Sequence, residues 1–138
     1  MTVTSKTLHV RTKGRGLYDI TDHVREAVAA SGVTAGICSV FIAHTSASLI
    51  TQENADPAVL RDLERWIDRI APESDEYEHD AEGPDDMPSH LRASITKTSE
   101  NVPIAGKKLA LGTWQAIYVW EHRTHGHDRR VLVTIIGE

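Results

Sequence analysis

The sequence contains one cysteine, Cys38. A single thiol excludes an internal disulfide and a cysteine-only zinc site. No apolar run approaches the roughly 20 residues needed to cross a membrane, and Met1-Thr-Val-Thr-Ser5 has no signal-peptide pattern. The expected location is therefore the cytoplasm, with no membrane partner. The chain has no dense basic stripe and no RNA or DNA motif, which argues against nucleic acid. It also lacks a Walker loop, a dinucleotide fingerprint and a His-Glu-x-x-His helix. Lys and Arg are missing from residues 73–86, which hold eight acids, Glu73, Asp75 and Asp86 among them. Outside that stretch 12 acids face 15 bases, so the net charge of −5 combines a mildly basic body with one acidic loop.

What is present is enough for one soluble globular domain spanning residues 1–138: 40% of the residues are apolar and 25% charged. Residues 3–12 favour β structure and stop at Gly14 and Gly16. Thr21 is placed to cap a short helix with Val24, Ala27 and Val28 on its apolar stripe, ended by Gly32. Residues 34–43, nearly all apolar, predict a strand buried on both faces. Asp56-Pro57 starts a second helix with Leu60, Leu63, Ile67 and Ile70 on one face, ended by Pro72. Pro88 opens a third. The last third reads as strands over 101–105, 107–111, 114–121 and 130–136. This order predicts an α+β domain with an antiparallel β-sandwich core and two to three flanking helices, without the strand–helix alternation of a doubly wound fold.

Eight histidines fall at informative places. His44 ends the apolar strand, where rigid positioning meets solvent, and is followed by Thr45 and Ser46. Ser46 or Ser48 beside His44 makes no triad without a nucleophile elbow. Asp85-Asp86, with His90 one helical turn beyond Asp86, offers metal ligands or a base with its orienting partner. The alternative is a charged loop feeding a capped helix. Asp56 and Asn54 stand at a helix start, where free amides favour anions. His79, inside the acidic run, reads as solvated. The His122–His127 segment resembles a metal cluster, but a solvated hairpin loop is favoured, with Glu121 the better-placed polar residue. Arg123, Arg129 and Arg130 suit phosphate or salt bridging. Cys38, mid-strand among apolar neighbours, reads as an inert buried thiol.

Four separated motifs occur in one order: Phe41-Ile-Ala-His44-Thr-Ser-Ala-Ser48, Glu53-Asn-Ala-Asp56-Pro57, Glu82-Gly-Pro-Asp-Asp-Met-Pro-Ser-His90 and Leu111-Gly-Thr-Trp-Gln115, followed by Glu121 and Arg129-Arg130. Together they closely resemble the YjbQ family, often labelled secondary thiamine-phosphate synthase, from about Gly16 to Glu138. The resemblance implies a compact α+β fold, a homotrimer, and a pocket built from His44, Asp86, His90 and Gly112–Gln115, with a divalent metal, magnesium or zinc. His44, His90 and Asp86 would be both the catalytic residues and the metal ligands. Thr45, Asn54, Thr113, Trp114, Gln115, Glu121 and Arg129 would bind a phosphorylated small-molecule substrate. The implied activity is weak thiamine-phosphate synthesis, the transfer of a pyrimidine methyl group from its diphosphate to thiazole phosphate. A non-catalytic binding trimer and a metal-dependent hydrolase are the alternatives. Zinc would favour histidine ligation, and magnesium would favour Asp85 and Asp86 with water.

Overall fold

The structure is a computed structural model that describes residues 1–74 and 76–138; Asp75, part of the acidic run, lies outside them. Among these residues there are eight strands and three helices. In chain order they are β1 (Thr2–Arg11), β2 (Gly16–Asp19), α1 (Thr21–Ser31), β3 (Gly36–Ile42), β4 (Ala47–Glu53), α2 (Pro57–Ile70), α3 (Asp86–Ile95), β5 (Ser99–Ala105), β6 (Lys108–Leu109), β7 (Gln115–Glu121) and β8 (Asp128–Gly137). They form two antiparallel sheets, one ordered β1-β8-β3-β5-β6 and the other β2-β7-β4. The predicted α+β class is the observed one.

Alternation builds the core. Cys38, Val40 and Ile42 of β3 and Val131, Val133 and Ile135 of β8 point inward from the larger sheet. They meet Ala47 and Leu49 of β4 and Ile117 and Val119 of β7, while Val24, Ala27 and Val28 of α1 join the same cluster. Because successive side chains of a strand face opposite ways, the other face of β3 carries Ile37 and Phe41. That strand was expected to be buried on both faces, and it is not: Ile37 is 46% and Phe41 44% exposed. Its continuous apolar run reflects a covered inner face and a bare outer one.

The helix ends also separate expectation from outcome. Asp56 caps α2 as predicted, its Oδ1 accepting the Ala58 amide at 2.9 Å, with Pro57 first in the helix. Thr21 does not cap α1. Its hydroxyl accepts the Ile117 amide of β7 at 2.9 Å, and the Asp19 carboxylate accepts the Thr21 amide instead. Gly32 ends α1 at φ +71°, a left-handed conformation that costs glycine nothing. α3 begins at Asp86, two residues before Pro88. On α2 only Ile67 is fully buried, while Trp66 and Ile70 stay exposed. The strand expected over 107–111 is reduced to Lys108–Leu109, and β2 was not anticipated at all.

Candidate functional site

Three segments meet at one corner of the fold: the loop between β3 and β4, the start of α3, and the turn between β7 and β8. Asp86 is the first residue of α3 and His90 lies one turn later, so both side chains leave the same face. Asp86 is buried, and its Oδ2 accepts from His79 Nε2 at 2.7 Å and lies 3.3 Å from His90 Nε2. One donor atom from each of His79, Asp86 and His90 falls within 4.8 Å of the others. The opposite nitrogen of His90, Nδ1, donates to the Thr45 carbonyl at 2.9 Å. A carbonyl can only accept, so Nδ1 carries the proton, and in a neutral ring Nε2 presents its lone pair to the cluster.

This donor set suits a cation. Two imidazoles and one carboxylate match the composition of a zinc site that keeps a position open. A ligating histidine normally gives its other N–H to a carbonyl or carboxylate, as His90 does to Thr45. Asp86 is held below the usual carboxylate range. Burial alone would raise it, but the hydrogen bond from His79 and the charge of Arg123 outweigh burial.

The neighbouring carboxylate is engaged elsewhere. Asp85 Oδ2 accepts Arg123 Nε at 2.8 Å and the Thr124 amide at 2.9 Å. These bonds outweigh burial and hold Asp85 far below its ordinary value. A magnesium site built on both Asp85 and Asp86 therefore loses one of its ligands. Asp56 is exposed and serves as the α2 cap.

Behind this corner runs a buried polar layer. Glu121, fully buried, pairs with Arg129 and accepts from Thr12 Oγ1 at 2.6 Å. Those partners outweigh burial and keep its carboxyl low. Arg129 also reaches the Ser46 hydroxyl at 3.0 Å. It was expected to hold a substrate anion, but it is buried and committed to Glu121. His44 lies half-buried above it, with Nε2 accepting the Arg130 amide at 2.8 Å. Burial, with the charges of Arg129 and Arg130, holds His44 below its ordinary value. His44 is not one of the three residues whose donor atoms converge, and its Nε2 lone pair is already used.

Two histidines are placed differently from their sequence reading. His79, read as solvated, bonds Asp86 and lies 5.5 Å, ring to ring, from His90. Its only sequence signal was proximity to the Asp85-Asp86 pair. His122, read as part of a solvated loop, is buried and shares a 2.8 Å hydrogen bond with Ser48. Its neighbours His125 and His127 do stay near the surface.

Asn54, Thr113, Trp114 and Gln115 gather elsewhere. β4 and β7 pair with Ala47 opposite Glu121 at the cluster end and Glu53 opposite Gln115 at the other. Seven paired residues separate the two groups by about 20 Å at the usual strand rise of about 3.3 Å. There the Asn54 amide donates to the Thr113 and Gln115 carbonyls, Gln115 accepts the Gly112 amide, and Trp114 projects 64% exposed. Within one chain these residues do not share a pocket with His79, Asp86 and His90.

Two antiparallel sheets around a common core, flanked by three helices, make this a small α+β protein. A family model described as UPF0047 protein YjbQ-like matches residues 6–138, and the chain belongs to the YjbQ/UPF0047 family. A UPF0047 protein of Synechocystis sp. is 48% identical over 132 residues, covering 95% of this chain and 90% of that protein. YjbQ of Escherichia coli is 43% identical, covering 96% and 97%. Among solved structures, a YbjQ-like protein of unknown function from Sulfolobus solfataricus superposes with a TM-score of 0.88 at 27% identity, covering 99% of this chain and all of the other. An uncharacterized YjbQ/UPF0047 family protein from Clostridium acetobutylicum gives 0.85 at 38% identity, covering 96% and 99%.

Proposed function

We propose that this protein is a metal-assisted enzyme of small-molecule chemistry, with His79, Asp86 and His90 as ligands of a zinc-class divalent cation. The observation that carries this reading is the convergence of their three donor atoms within 4.8 Å, backed by the Nδ1 bond of His90 to the Thr45 carbonyl. A cation held there would supply Lewis acidity, polarising a phosphoryl or carbonyl oxygen where charge develops. The chain's own residues orient the ligands: Thr45 fixes the His90 ring and Arg123 holds Asp86.

The donor set favours hydrolysis over group transfer, because expelling diphosphate draws on magnesium with oxygen ligands. Thiamine-phosphate synthesis remains the second reaction to assay, on the strength of the family resemblance. Metal analysis of untagged protein tests the reading. About one zinc-class ion per chain is expected, lost in His79→Ala and His90→Ala while the circular dichroism spectrum stays native. Wild-type protein that takes up no ion after reconstitution would sink it.

We also propose that the protein is a homotrimer. The outer face of the larger sheet supports self-association: Val3, Ile136 and Ile37 line up in one cross-strand row and Leu132 and Phe41 in another, all exposed. An exposed apolar face of this kind is suited to a second copy of the chain. Substrate contacts by Asn54, Thr113, Trp114 and Gln115 belong to this reading, since they would reach the His79–Asp86–His90 cluster only across a boundary between copies.

A further inference from the structure

Arg123 follows directly after the buried Glu121-His122 pair, and its own amide donates to Glu121 Oε2 at 3.2 Å. From that anchored position its guanidinium reaches across to the 82–86 segment and meets three acceptors. Nε donates to Asp85 Oδ2 at 2.8 Å, Nη1 lies 2.9 Å from Asp86 Oδ1, and Nη2 donates to the Glu82 carbonyl at 3.0 Å. The side chain is only 17% exposed. A planar guanidinium holding three acceptors leaves little freedom to any of them.

The consequence falls on Asp86. Its two oxygens are divided: Oδ1 faces Arg123, and Oδ2 faces His79 and His90. A carboxylate without that partner could turn either oxygen, or neither, toward the imidazoles. The Glu82 contact acts on the other ligand, because it ties down the backbone three residues after His79. Arg123 also offsets the repulsion of two adjacent buried carboxylates.

We propose that Arg123 is the positioning residue of this centre, setting which Asp86 oxygen meets the cation and fixing the segment that brings His79 to it. The proposal rests on the metal reading above and adds to it a residue that is not itself a ligand. It is tested by zinc affinity, measured in competition with a chromophoric chelator, and by the visible spectrum of the cobalt-loaded protein. Wild type, Arg123→Gln, Arg123→Lys, Asp85→Asn and the Arg123→Gln/Asp85→Asn double variant are compared, with thermal melting of the metal-free forms as the check on folding. Loss of a group that orients a ligand typically costs about 10–100-fold in metal affinity. Arg123→Gln is expected to lose that much and to change the cobalt spectrum. Arg123→Lys, which keeps the charge but cannot span three acceptors, should lie between it and wild type, and it also reads the effect if the glutamine variant does not fold. Asp85→Asn should weaken binding less than additively with Arg123→Gln, since both act through one contact. A folded Arg123→Gln with wild-type affinity and spectrum would make Arg123 a loop tie only. Absence of stoichiometric metal in wild type would instead overturn the metal reading, and this inference with it.

Discussion

Asp85 and Asp86 are adjacent, equally buried carboxylates that serve different partners: Asp85 is consumed by Arg123 and Thr124, whereas Asp86 keeps one oxygen for the histidines. Burial has a similarly specific effect on His122, where it acts with the charges of Arg92 and Arg129 to push the ring down to about 3 from 6.5. As the pH falls below about 6.5 the unfolded chain binds a proton at this position that the folded protein refuses until about pH 3. His122 therefore removes stability on acidification across that interval, by up to about 1.4 kcal/mol per pH unit. Urea unfolding at several pH values should show a shallower slope between pH 6 and 4 for His122→Gln, roughly in line with one proton fewer. Cys38 is a simpler case. Burial pushes its thiol up to about 11, so the folded protein should resist iodoacetamide at neutral pH and react fully once unfolded. Alkylation of the native protein at the rate of a free thiol would contradict that placement.

Caps and cross-element bonds can be ranked at the next scale. The Asp56 cap on α2 is exposed, and Asp56→Ala should cost about 0.5–2 kcal/mol. Thr21 is buried and supplies the acceptor for the Ile117 amide in the middle of β7. Thr21→Val keeps the shape but strands that amide, at a cost of about 1–3 kcal/mol. Chemical denaturation should place Thr21→Val at or below Asp56→Ala in stability; the reverse order would mean that the β7 amide finds another partner. This pair also shows what could be read locally. A cap followed by proline is a contact within one turn, so Asp56 was legible from sequence. Thr21 looked like the same kind of cap, but it is bonded to a strand 96 residues away.

For the whole molecule, the bare outer face of the larger sheet is the feature that one chain leaves incomplete. Phe41→Lys, placing a charge in the middle of that face, should convert the proposed trimer to a monomer near the 15.3 kDa chain mass while leaving the inner face of β3 intact. Light scattering reads this directly. A wild-type protein that is already monomeric would overturn the trimer, and a variant that stays trimeric would move the contact elsewhere.

Sequence by itself determined the class of fold, the helix over 57–70, the central strand and the pairing of Asp86 with His90, because each depends on a local period: two residues for a strand, and three to four for a helix face. It also determined that Cys38 is buried, from the apolar neighbours on either side. Tertiary structure decided the rest. Whether β3 was covered on its second face depended on whether another layer lay against it, and among the described residues none does. Whether Asp85, Arg129 and His44 were free or engaged depended on partners brought in from β7, β8 and the turn between them. His79 reaches Asp86 from a loop with no period to read. A side chain's neighbours along the chain set its element, but its chemistry was set by residues that only the closed fold brought within 3 Å.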